Sequence, residues 1–173
     1  MGKGESIMSD YEIPRAPRIS RFAKGRTYTI EGIEENMKAP QESYLFALVD
    51  MLKKLESNVE AYYAGRGWSR PTDAKRGVTF GEKWDKVWVM RNGERANIIC
   101  FIDADTGEIY KPAGVNKPYP KVRADIFEPE SYEYADPHGG WLYADFKADK
   151  PRRYNYDMST KEYIDKGQYE LKN

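Results

Sequence analysis

The chain has 173 residues, 28 basic and 28 acidic side chains, zero formal net charge and a mean hydropathy of −0.84. That length can bury the core of one domain, and zero net charge argues against a strong non-specific nucleic-acid binder, which carries a clear basic excess. A single cysteine, Cys100, excludes an intramolecular disulfide and a multi-cysteine zinc site, and the apolar runs at 45–49 and 98–102 are too short to span a bilayer.

Residues 1–26 read as an extended basic arm. Pro14 and Pro17 oppose helix formation, and Arg15, Arg18, Arg21, Lys24 and Arg26 alternate with Ile13, Ile19 and Phe22. No hydrophobic stretch follows Met1, so no signal peptide is expected, and Met8 is an alternative start. A short strand is expected at 27–30. The one helix is expected at about 41–64, where Leu45, Leu48, Val49, Leu52, Leu55 and Val59 recur at spacings of three and four. Glu42 falls in its first turn, where the helix dipole favours a carboxylate, and Gly65 or Gly67 ends it. Residues 66–83 read as a basic loop.

Residues 84–112 carry two consecutive hairpin signals. Asn92-Gly93 supplies the positive φ angles of a two-residue turn, and Asp105-Thr106-Gly107 marks a second turn before Glu108. The result is a three-stranded antiparallel meander, with a fourth strand at 121–127 after Pro112, Pro118 and Pro120. Beyond Glu128 the pattern weakens into a turn at 136–140, a segment at 141–146 and a tyrosine-rich charged tail. The organisation is therefore an arm (1–26), a single α+β domain (27–146) and a tail (147–173), with the helix packed on a small antiparallel sheet.

Counting outward from Asn92-Gly93 places Val89 opposite Ala96, Val87 opposite Ile98 and Trp84 opposite Phe101. One face then carries Val87, Val89, Ala96, Ile98, Cys100, Ile102 and Ile109, the seat of the helix. The other carries Trp84, Phe101 and Tyr110 in a row, with Trp88, Ile99, Lys86 and Arg95 beside it. Two readings of that row stay open. It is either a second core layer, covered by an arm or the C-terminal segment, or a platform on which bases stack.

Signals for chemistry are sparse. Asp103, Asp105 and Glu108 alternate as in a calcium loop but lack the distal glutamate, and Asp and Gly also serve a hairpin turn. His138 is the only histidine, in a glycine-rich turn without a marked nucleophile, and Cys100 reads as a core residue. Gly65 and Gly67 precede no Lys-Ser/Thr pair, so no phosphate loop is present, and the glutamates at 34–35, 128 and 130 read as solvated surface. No cofactor, metal or catalytic activity is expected. Arg66, Trp68, Arg70, Lys75 and Arg76 form the best candidate for polyanion contact, set against a bland reading in which this loop pairs with the acidic segment 124–149, which carries a net −6.

The run Val87-Trp88-Val89, Cys100-Phe101-Ile102-Asp103 and Thr106-Gly107-Glu108-Ile109-Tyr110-Lys111-Pro112-Ala113, ending at Pro120 and Arg123, resembles small bacteriophage-encoded proteins of unknown function. The resemblance covers residues 84–127 and implies a context, a phage product in the host cytoplasm or the virion, with no residue role to carry over. The expectation is a non-catalytic interaction or structural protein that binds a protein partner or itself. Its contact surfaces would be its arms, through Arg15, Arg18, Arg21 and Phe22, and its tyrosine-rich surface. The alternative is a single-stranded nucleic-acid binder using Trp84, Lys86, Phe101 and Tyr110 with the basic loop. A third option is a phage inhibitor of a host protein, contacting it through the acidic stretch. No membrane partner is expected.

Overall fold

The computed structural model describes residues 15–18, 21–37, 42–70, 75–137, 139–143, 156–157 and 162–163. Helix α1 spans Ile30–Glu35 and helix α2 Ser43–Gly65. Strands β1 (Arg76–Thr79), β2 (Trp84–Arg91), β3 (Glu94–Asp103), β4 (Glu108–Gly114) and β5 (Lys117–Asp125) form one sheet in that order, antiparallel throughout. Two 3-10 turns, Pro129–Tyr132 and Gly140–Tyr143, follow. Two-residue strands β6 (Tyr156–Asp157) and β7 (Glu162–Tyr163) pair with each other. The fold is α+β, as the periodicities predict. The arm before Arg15, His138 and the tail outside β6 and β7 lie beyond the described residues.

The core lies between α2 and one face of the sheet. Leu45, Leu48, Leu52 and Leu55 pack with Val78, Val87, Cys100, Ile102, Ile109 and Ala124, and Tyr132, Trp141 and Leu142 from the 3-10 turns close the same side. Asn58, buried on α2, donates from Nδ2 to the carbonyl of Ala135 at 2.9 Å, which ties the last segment to the helix. Cys100 belongs to this core, and burial pushes its thiol pKa up to about 12.

Several local expectations are corrected. The strand expected at 27–30 is a single bridge, Tyr28 to Val78, followed by α1, whose N-cap Thr29 accepts from the Gly32 N–H at 3.0 Å. The basic loop contains β1; all four of its residues are buried, so it lacks the alternation that marks a strand in sequence. Glu42 is the N-cap residue of α2, which starts two residues later than expected. The last strand runs over Lys117–Asp125, not 121–127, and takes in Pro118 and Pro120. Prolines fit there because β5 is an edge strand; Pro112 on β4 pairs with Pro118 and lies beyond the last β3 pairing, at Tyr110. The segment after Gly139 enters a 3-10 turn.

The register of β2 against β3 also differs. Arg91 meets Glu94 as expected, but shifts at Val87/Trp88 and Val89/Met90 leave Ile99 and Ala96 as extra residues on β3. Val87 therefore faces Cys100, and Lys86, not Trp84, faces Phe101. Between the bulges the two-residue alternation breaks, and Val89, Ala96 and Ile98 leave the buried set.

Both hairpin turns form where the sequence marks them. Asn92 and Gly93 have φ of 54° and 78°, and Gly107 has φ of 84°. At Asp103–Glu108 the polar side chains serve the turn itself: Asp103 Oδ1 accepts from Asp105 N–H at 2.8 Å, and Thr106 Oγ1 from Glu108 N–H at 3.2 Å. A Cβ on Gly93 would meet nothing within 4 Å, whereas one on Gly107 would lie 2.7 Å from Phe127. Gly93→Ala is expected to cost about 1 kcal/mol and Gly107→Ala roughly 2 kcal/mol or more, compared by urea denaturation; equal costs would mean that φ alone matters. Cys100 is expected to resist Ellman's reagent at pH 8 in the native protein and to react once per chain in denaturant; rapid native reaction would show that the helix–sheet core opens.

Candidate functional site

Opposed residues form two rows across the sheet. Toward α2 lie Asp85, Ile102, Ile109 and Ala124, one from each of β2 to β5. On the other side lie Thr79, Lys86, Phe101, Tyr110 and Val122, one from each of the five strands. The second row is the centre of an outer face on which no helix packs among the described residues.

Phe101 is fully buried and forms the floor of this face. The Trp84 ring stands edge-on to Phe101 at 6.0 Å and to Tyr110 at 5.2 Å, and both outer rings are half-buried. Cations lie over the rings: Lys83 over Trp84 at 5.3 Å, Lys86 over Phe101 at 5.4 Å and Arg95 over Trp88 at 5.2 Å. Trp88 is fixed by a 3.0 Å hydrogen bond from Nε1 to Thr79 Oγ1. Lys83 is paired with Asp103 at 2.9 Å. Lys86 donates to the neutral Asn116 Oδ1 at 3.1 Å, and burial together with the charge of Arg95 holds its pKa below the usual lysine value. The sequence brings Trp84, Lys86, Phe101 and Tyr110 together as expected; Lys83 and Thr79 join them through strand β1 and the turn before β2, which carry no periodic signal.

The basic loop goes elsewhere. Arg70 is turned inward onto Glu56 and Glu60 of α2, the second at 2.9 Å, with its side chain 7 % exposed. Arg76 is buried on the α2 side of β1, and its N–H donates to Glu56 Oε2 at 2.8 Å. Arg66 lies over Tyr62 at 3.9 Å beside the exposed Trp68, and Lys75 is exposed. The aromatic row and the buried arginines of the loop are thus on opposite sides of the sheet.

The arm residues are bound by their own domain. Arg15 pairs with Asp125 at 2.7 Å and Glu128 at 2.6 Å. Arg18 forms a two-pronged pair with Asp85, Nε to Oδ2 at 2.7 Å and Nη2 to Oδ1 at 2.8 Å. Asp85 has no exposed surface, and it also accepts from Tyr44 Oη at 2.7 Å and from the Gly81 N–H at 3.1 Å. Burial raises the Asp85 carboxyl pKa, opposed by Arg18, Tyr44 and Gly81. Phe22 stacks on Phe80 at 3.9 Å and meets Tyr28 edge-on at 4.9 Å. Arg21 remains exposed, lining a shallow cleft with Lys24 and Glu82. The sequence signal for this lock was a charged residue two positions before Val87, in phase with the core face. Arg18→Ala is expected to destabilise the chain by about 3 kcal/mol in urea, because Asp85 is left charged in the core, while Arg18→Met with Asp85→Leu is expected to recover much of the loss. Equal stability of the single variant and the wild type would mean that the arm is not anchored by this pair.

Neither curated proteins nor solved structures yield a match to the chain. A family model matches residues 27–144, which hold α1, α2, all five strands of the main sheet and the outer face. That span is most of the chain, and the protein belongs to DUF7717, a family of unknown function.

Proposed function

We propose that this chain is a non-catalytic interaction protein whose contact surface is the outer face of the sheet, and that the partner class fitting this face best is single-stranded nucleic acid. One observation carries the reading. The face is left without a helix among the described residues, and it presents Lys86 and Arg95 close together over aromatic rings, with no carboxylate hydrogen-bonded to Lys86. Adjacent cations suit a phosphate backbone, and rings beside them suit unstacked bases. Stacking would fall to Trp84 and Tyr110, since Phe101 is buried. Arg15, Arg18 and Phe22 are engaged within the domain, which weakens the case for the arm as the docking surface. The resemblance over residues 84–127 supports a phage-encoded accessory product acting in the host cytoplasm or on the virion. A protein with an acidic surface, from the host or the virion, is the competing occupant of the same face.

The test is tryptophan fluorescence during titration with a short single-stranded oligonucleotide, in a Trp68→Phe background that leaves the half-buried Trp84 as the accessible reporter. Quenching is expected at 50 mM salt, with affinity falling roughly five- to tenfold by 200 mM if about two phosphates are neutralised. Lys86→Glu with Arg95→Glu is expected to abolish it. No quenching at either salt would remove nucleic acid as the partner and leave the protein reading.

A further inference from the structure

A cleft of about 620 Å³ opens between α1, α2 and the start of β1, on the side of the sheet opposite the outer face. Most of its charges are accounted for by neighbours. Lys53 pairs with Glu34 at 2.9 Å, and Arg70 spans Glu56 and Glu60. Glu56 has no oxygen left over, since one serves Arg70 and the other the Arg76 N–H.

Arg76 is different. Its residue is 5 % exposed, it lines this cleft, and its Nε has no hydrogen-bond partner. Among the described residues no carboxylate pairs with its guanidinium. Burial pulls the Arg76 pKa below the usual arginine value; Glu56 opposes this, and the like charges of Arg70 and Arg91 add to it. A buried charge with a buried N–H left unbonded is costly, so the chain has a reason to discard it unless something occupies the site. An apolar side chain of similar length would fill the same space without that cost. Lys75, the exposed neighbour on the rim, and the Ser57 hydroxyl add donors facing the same space.

We propose that this cleft is a binding site for a small oxyanion, a phosphate group above all, held by the Arg76 guanidinium with Lys75 at its rim. A guanidinium donates in a planar fork that matches two oxygens of one phosphate, and such charge-assisted bonds are about twice as strong as neutral ones. The site does not depend on the outer face, and it would serve a free phosphate, a nucleotide or a phosphorylated side chain through the same contacts.

The experiment is thermal unfolding of the full chain in inorganic phosphate against chloride at matched ionic strength, repeated with a nucleoside monophosphate. A Tm rise of about 4 °C is expected at ten times the dissociation constant. Arg76→Met is expected to lose that response and to be at least as stable as the wild type without phosphate. Lys86→Glu with Arg95→Glu is expected to keep it, which separates this site from the outer face. No rise in the wild type with either phosphate or the nucleoside monophosphate, or a rise that persists in Arg76→Met, overturns the proposal. Should Arg76→Met fail to fold, the arginine Nε–H resonances of the wild type decide. A phosphate-dependent shift of one buried Nε–H supports the site, and none overturns it. A response to the nucleoside monophosphate but not to phosphate would assign the site to nucleotides.

Discussion

The buried carboxylate of Asp85 organises this molecule. It sits in a row otherwise made of Ile102, Ile109 and Ala124, with no exposed surface, where an unpaired charge would be strongly unfavourable. Four donors converge on it: two from Arg18, one from Tyr44 on α2 and one from the backbone of Gly81. One side chain of β2 thereby joins the N-terminal segment, the long helix and the β1–β2 turn. Arg18 also donates its own N–H to the Ala104 carbonyl at 2.8 Å, so the segment is held by backbone as well as charge.

That attachment has consequences along the edge of the sheet. From Arg18 the chain leads to Phe22, whose ring stacks on Phe80, and then to Tyr28, which exchanges two backbone hydrogen bonds with Val78 at 2.8 and 2.9 Å. The exposed edge of β1 is covered in this way, which protects it from pairing with another chain. The other edge, β5, carries Pro118 and Pro120, which lack the N–H groups that a further strand would need. Among the described residues, both edges of the main sheet are thus occupied or blunted against a further strand.

The two faces solve different physical problems. The α2 side is an apolar layer in which protein donors solvate the charge of Asp85. On the outer side lysine and arginine lie over the aromatic rings, so that hydrocarbon stems shield the rings. Phe101 lies fully buried in this face, with Lys86 over its ring. The same cations that shield the rings are the ones that the proposed contact with a polyanion would use.

Much of this was legible in the chain. Asn92-Gly93, Gly107 and the leucine spacing of α2 act within a few residues of themselves, through backbone φ preference and helical period, so they specified the meander, the helix and the α+β class. The association of Trp84, Lys86, Phe101 and Tyr110 followed from the strands, even though two bulges moved Trp84 from its place opposite Phe101 to the diagonal. What local signals could not supply were the contacts between segments far apart. β1 has no alternation because it is buried on both sides, Arg70 reads as a solvated cation until α2 brings Glu56 and Glu60 against it, and Arg76 reads as one until packing buries it. The basic arm read as free for a partner until Asp85 met Arg18 across 67 positions. The sequence by itself determined turns, periods and faces, because these depend on neighbours in the chain. Only the tertiary structure decided which charges are neutralised and which stay available, because a charge's partner is set by packing and not by sequence proximity.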